Sequence, residues 1–278
     1  MPMAVPVGSG ALMRPALRAL GVGLALAGCV SLPGTAVLDP PAGRVETAEI
    51  ARAEPAVVFE SGLAGYKESW GEVFQAVATT NTVFAYDRPG IGRSASTTRP
   101  RDGGTIVADL RALLRSRDLR PPYVLVGHSA GGLYMQLYAR RYPTEVAGLV
   151  LVDPTHPTQF EGAGALENRG GLVSAAMTAA GLFGPARAEF DALAETGRAV
   201  LAAPELPAAM PVVILIAPSE AGTPIAAFDN AKLADFANLY PHAIVREVDS
   251  GHNIQVEHPE VVIEAIREVL SDHDKSSN

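Results

Sequence analysis

The chain has 278 residues, 48% of them apolar, and a formal net charge of −8. This length can bury a large core, as one α/β domain with an insertion or as two small domains. An acidic balance without a basic cluster excludes nucleic acid as an expected partner, and a single cysteine, Cys29, excludes a disulfide framework and a thiolate metal site.

The first stretch reads as a targeting segment. Arg14 and Arg18 precede an uncharged apolar run, Ala19 to Ala27, too short to span a bilayer comfortably but suited to a signal-peptide core. The run ends in Leu26-Ala27-Gly28-Cys29, which resembles the lipobox of bacterial lipoproteins. That resemblance implies a signal peptide over residues 1–28, lipidation of Cys29, and a protein exported to the bacterial cell envelope and held at the membrane by its lipid. Two alternatives stand beside it: a secretory signal cut after Ala27, giving a secreted or periplasmic protein, and a buried free thiol. Met13 is an alternative start. Residues 29–42, with Pro33, Pro40 and Pro41, read as a tether.

The domain is predicted over residues 43–272. Strands are expected at Ala56–Phe59, Thr82–Tyr86, Tyr123–Val126, Gly148–Asp153, Val212–Ala217 and Ala243–Val248, each a short apolar run rich in β-branched residues. Helices are expected at Trp70–Val77, at Thr105–Arg117 with Thr105 as cap, after Ala130 until Pro143, at Ala226–Leu239 and at Pro259–Leu270. Alternating strands and helices imply an α/β fold: a mostly parallel, twisted sheet flanked by helices. The rhythm breaks between Pro154 and Pro211. That Ala- and Gly-rich stretch, with helical pieces near Leu172–Ala180 and Arg187–Val200, reads as a small helical cap inserted at about 154–210. Residues 273–278 belong to a charged, frayed tail beginning near Ser271.

Between the third strand and its helix lies Gly127-His128-Ser129-Ala130-Gly131, a G-x-S-x-G. Strand must become helix in about one residue, which forces Ser129 into strained backbone and lifts its hydroxyl clear of the sheet. The amide of Ala130 then points outward at a helix N-terminus, where it can help hold a developing oxyanion. A serine hydroxyl needs a base within reach. His252, in Asp249-Ser250-Gly251-His252 just past the last strand, lies at the sheet edge where Ser129 emerges. His128 is expected to face away and pack beside the sheet, His258 to be structural, and His156 to be a satisfied loop histidine near the site. The carboxylate that orients the base is Asp153, at the strand end after the nucleophile helix, or Glu220, after the next strand; Asp153 needs less loop geometry to reach inward. Either gives the chain order Ser, acid, His.

Four segments together resemble the α/β-hydrolase fold over roughly residues 45 to 272. They are Gly127 to Gly132, Asp87-Arg88-Pro89-Gly90-Ile91-Gly92-Arg93-Ser94, Leu149 to Pro154, and Ser250-Gly251-His252 with Glu257-His258-Pro259-Glu260 behind it. The resemblance implies a serine esterase acting on small or medium esters, with Ser129 as nucleophile, His252 as base and Asp153 as orienting acid. It places the second oxyanion donor at the Leu63 amide, although members usually show His-Gly where this chain has Ser61-Gly62. No metal or organic cofactor is implied. A serine at the nucleophile position argues against epoxide-hydrolase or dehalogenase chemistry, which needs a carboxylate there. Acyl transfer, cleavage of an amide or C–C bond, and a non-catalytic surface binding protein retaining the fold are the competing readings.

Overall fold

In the computed structural model, which describes residues 31–39, 43–165, 184–219 and 224–277, the strands form one sheet. In chain order the elements are β1 (Thr35–Leu38), β2 (Val45–Ile50), β3 (Ala53–Glu60), α1 (Gly71–Val77), β4 (Asn81–Tyr86), α2 (Gly103–Ser116), β5 (Tyr123–His128), α3 (Ala130–Arg141) and β6 (Val146–Val152). They continue with α4 (Pro185–Asp191), α5 (Leu193–Ala202), β7 (Val212–Ile216), α6 (Pro224–Ala234), α7 (Phe236–Leu239), β8 (Ile244–Glu247), α8 (Ile254–Glu257) and α9 (Pro259–Ser277). The sheet order is β1-β2-β4-β3-β5-β6-β7-β8, antiparallel at the two β2 pairings and parallel elsewhere.

Each central strand feeds two cores, because successive side chains point to opposite faces. In β5, Tyr123 and Leu125 join the core packed by α2, α3, α4, α5 and α7, while Val124 and Val126 join the one packed by α1, α8 and α9. Both faces of these strands are dry, which is why they read as continuous apolar runs. From β3 the chain steps one way to β4 and then back across to β5. This reversal is a topological switch point, and in sheets of this kind ligands collect outside the carboxyl ends of the strands that flank it, here β3 and β5.

Three expectations need correction, and one strand escaped the sequence reading. Thr35–Leu38, inside the stretch read as a tether, forms an edge strand paired with β2, and Leu32 is buried against the second core. β2 itself, Val45-Glu46-Thr47-Ala48-Glu49-Ile50, is polar enough to escape a search for apolar runs. The cap of α2 is Asp102, whose carboxylate accepts hydrogen bonds from the Thr105 amide at 3.0 Å and the Thr105 hydroxyl at 2.8 Å. The last helix runs on to Ser277, through the stretch read as a frayed tail. Within the 154–210 stretch, α4 and α5 match the expected helical piece near 187–200; α5 packs against α2 and α3, and Ala186 and Phe190 of α4 join the same core. The piece near 172–180 lies outside the described residues, as do residues 1–28 and Cys29.

Candidate active site

Ser129 sits between β5 and α3 with φ 53° and ψ −122°. A non-glycine residue there is strained by about 1–3 kcal/mol. The surroundings hold it: the Ser129 amide donates to Val152 O at 3.1 Å, and the Ser129 carbonyl accepts from the amides of Leu133 and Thr155. The flanking glycines exist for space. A Cβ on Gly131 would lie 2.4 Å from Glu60 O and 2.6 Å from Ser61 O, and one on Gly127 would lie 2.7 Å from Gly131 O. Only without those carbons can β3 and its loop close onto the start of α3. Ala130 is the first residue of that helix, and the partial positive charge of the helix N-terminus falls there.

Asp153 and His252 meet. His252 Nδ1 lies 2.6 Å from Asp153 Oδ2, and Asp153 Oδ1 accepts from the Ala217 amide at 2.9 Å. The aspartate backbone has φ 40°, and its amide donates to Leu215 O at 2.7 Å, so β7 fixes where the carboxylate points. Asp153 is buried and His252 partly exposed. With Nδ1 engaged by a carboxylate, the ring carries its proton on Nδ1 and leaves Nε2 as a base. Glu220, the other acid weighed for this role, lies outside the described residues.

His128 does not simply pack beside the sheet. Its ring lies against that of His252, centroids 4.7 Å apart and planes tilted by 50°, and its Nε2 lies 2.9 Å from the His252 carbonyl. Burial, with help from neighbouring His252, pulls its pKa down to about 3, so the ring is neutral at physiological pH. A carbonyl only accepts, so Nε2 carries the hydrogen. The residue before Ser129 thus pins the loop that carries His252. On the other side of that loop, the Gly251 amide donates to Glu257 Oε2 at 2.8 Å. His258 is partly exposed beside Glu260, its Nδ1 3.2 Å from Glu260 Oε1. His156 is buried, with burial pulling its pKa down to about 4, and its Nδ1 accepts from the Thr158 amide.

The β3 loop closes the site. A Cβ on Gly62 would lie 2.9 Å from His128 Nδ1 and 3.2 Å from Ser129 Cβ, which sets Ser61-Gly62-Leu63 against the nucleophile turn. Ser61, standing where the resemblance leads one to expect histidine, has a structural duty. Its hydroxyl accepts from Trp70 Nε1 at 3.2 Å and donates to Tyr66 O at 3.0 Å. Ser129, Asp153, His252, Leu63 and Ala130 therefore all lie at the carboxyl edge of the parallel strands.

Residues 55–191 match the family model described as the alpha/beta hydrolase fold. This chain has the α/β-hydrolase fold. A haloalkane dehalogenase DbeA-M1 loop variant from Bradyrhizobium elkanii superposes with a TM-score of 0.63 at 18% identity, over 87% of this chain and 98% of that one. Such an α/β-hydrolase likeness speaks for the fold alone, because one fold hosts several chemistries. YqjL of Bacillus subtilis, an uncharacterized protein, is 35% identical over 98 residues, 35% of this chain and 39% of that one. The (lyso)-N-acylphosphatidylethanolamine lipase of Bos taurus is 32% identical over 102 residues, 35% of this chain and 30% of that one. The matches thus span well under half the length of these relatives.

Proposed function

We propose that this α/β-hydrolase is a serine esterase that cleaves carboxylic esters through an acyl-enzyme on Ser129. The observation that carries this reading is the hydrogen bond between Asp153 and His252, formed beside a strained serine at a strand-to-helix turn. Ser129 attacks the ester carbonyl while His252 takes its proton through Nε2, and Asp153 keeps the ring in that tautomer and steadies the imidazolium. The amides of Leu63 and Ala130 hold the oxyanion of the tetrahedral intermediate. His252 then returns the proton to the leaving alcohol, and a water deprotonated by His252 releases the acid. A serine, not a carboxylate, at the attacking position separates this site from dehalogenase chemistry. The lipase name carried by the bovine relative is in keeping with an acyl substrate.

The test is acyl-enzyme trapping. With p-nitrophenyl butyrate under rapid quench, intact-mass and peptide analysis should find one butyryl group on Ser129 and p-nitrophenol released in a burst. Hydrolysis without any acylated serine would refute the covalent route.

We also propose that the protein is exported and anchored at the bacterial cell envelope through a lipidated Cys29. In a bacterial host, labelled palmitate should enter the wild-type protein and be absent from Cys29→Ser. Equal labelling of both would refute the anchor.

A further inference from the structure

The loop that faces Ser129 is held from behind by one buried arginine. Arg88, in the loop after β4, is 2% exposed. Its Nη1 donates to Ser61 O at 2.7 Å and Glu60 Oε1 at 2.6 Å; its Nη2 donates to Gly62 O at 2.7 Å and Glu189 Oε2 at 2.8 Å. Its Nε faces both oxygens of Glu189 at 3.1 Å. Arg101 closes on the other side of Glu189, and the Tyr86 hydroxyl donates to Glu60 at 2.5 Å. Every one of these side chains is more than nine-tenths buried.

Such a network is a poor way to gain stability, since desolvating two arginines and two glutamates costs about as much as pairing them returns. Its geometry has a more specific use. A trans peptide is planar, with its C=O and N–H on opposite sides. A guanidinium fork gripping two successive carbonyls therefore fixes the direction of the two N–H groups that follow, those of Gly62 and Leu63. Gly62 O also accepts from the Gly65 amide at 3.0 Å, so this peptide cannot turn without losing both bonds. Directly beyond Leu63 the chain makes a sharp turn at Ala64, with φ 55°, a conformation that needs such bracing.

We propose that Arg88 is a positioning residue for the oxyanion hole, aiming the Leu63 amide through the Gly62 carbonyl, and that Glu189 of α4 locks it in place. This rests on the serine-esterase reading of Ser129. It also ties the inserted segment to the chemistry, since Glu189 enters from the 154–210 stretch and lies 101 residues beyond Arg88. Burial pushes the Glu189 carboxyl up, but Arg88 and Arg101 together outweigh it and hold it below its usual range, so the lock stays ionised.

The test compares wild type, Arg88→Lys and Glu189→Gln. Lysine keeps the positive charge between the two glutamates but cannot grip two carbonyls as a fork. Active sites are counted with a fluorophosphonate, turnover is measured on p-nitrophenyl butyrate, and affinity is measured for a four-carbon trifluoromethyl ketone, whose serine adduct carries an oxyanion. In Arg88→Lys, kcat per labelled site should fall roughly ten- to a hundredfold, part of the loss seen when an oxyanion donor is deleted. KM should stay within about twofold and ketone affinity should fall by the same factor as kcat. Glu189→Gln should move kcat and ketone affinity together in the same direction, by less, and decides alone if the lysine variant does not fold. Variants that lose labelled sites while the surviving sites keep wild-type kcat and ketone affinity would show a merely structural role and overturn the proposal. A wild-type protein whose Ser129 takes no label would overturn the nucleophile reading, and this inference with it.

Discussion

Replacing Asp153 with asparagine tests the site at its most constrained atom pair. The Ala217 amide is a donor and demands an oxygen at its side of residue 153. An asparagine must therefore turn its carbonyl to Ala217 and its NH₂ to His252 Nδ1. Nδ1 then becomes an acceptor, the ring proton moves to Nε2, and the atom meant to take the Ser129 proton is already protonated. Nothing else in the fold need change, since the backbone bond from residue 153 to Leu215 O survives. Inverting a catalytic histidine tautomer in this way costs about 10⁴ in kcat, or roughly 5.5 kcal/mol in the barrier. The assay is the rate of p-nitrophenyl butyrate hydrolysis together with the rate of fluorophosphonate labelling, both at neutral pH, with thermal melting to show that the variant is folded. Glu220→Gln should stay near wild type in both. A loss smaller than about tenfold in a folded Asp153→Asn, or a large loss in Glu220→Gln, would refute the tautomer argument.

Other predictions follow from neighbouring contacts. In Gly131→Ala the new carbon would sit 2.4 Å from one backbone oxygen and 2.6 Å from the next, with no flexible side chain to yield. It should destabilise the protein by about 2–4 kcal/mol in urea unfolding and cut activity with it; wild-type stability would show that the β3 loop is not packed as described. The His128 pKa is lowered to about 3 in the folded chain, against about 6.5 unfolded. The unfolded state thus takes up a proton first, and this contribution is complete above pH 6.5 and drains away as pH falls towards 3. The stability of wild type relative to His128→Phe should therefore shrink by about 1.4 kcal/mol per pH unit below 6.5; a difference independent of pH would contradict the buried neutral ring. The same variant frees the His252 loop, so kcat at pH 8 should fall by about tenfold as orientation is lost, and an unchanged kcat would show that His128 does not pin it.

What could be read from the sequence was whatever one local pattern carries. Dry parallel strands such as Val146–Val152 announce themselves because both faces are apolar, and the turn at Ser129 because one strained residue needs room on both sides. Asp153 stood out as an acid closing such a strand. β1 was hidden because it is only four residues long, and β2 because Glu46, Thr47 and Glu49 interrupt its apolar run, Glu46 being buried only through its ion pair with Lys67. The pairing of His128 with the His252 carbonyl spans 124 residues and depends on how a loop returns, which no spacing encodes. The Glu60–Arg88–Glu189 cluster was invisible for the same reason. Each member alone looks like a solvated charge, and only the tertiary fold brings them together out of water.

Whether Ser129 is an activated nucleophile is read out by fluorophosphonate labelling of the folded protein beside Ser129→Ala and a heat-denatured control. One label per chain is expected, mapped to Ser129, absent from the variant and from the denatured control. Labelling that persists in a folded Ser129→Ala protein, or a folded wild type that takes no label, would contradict that role.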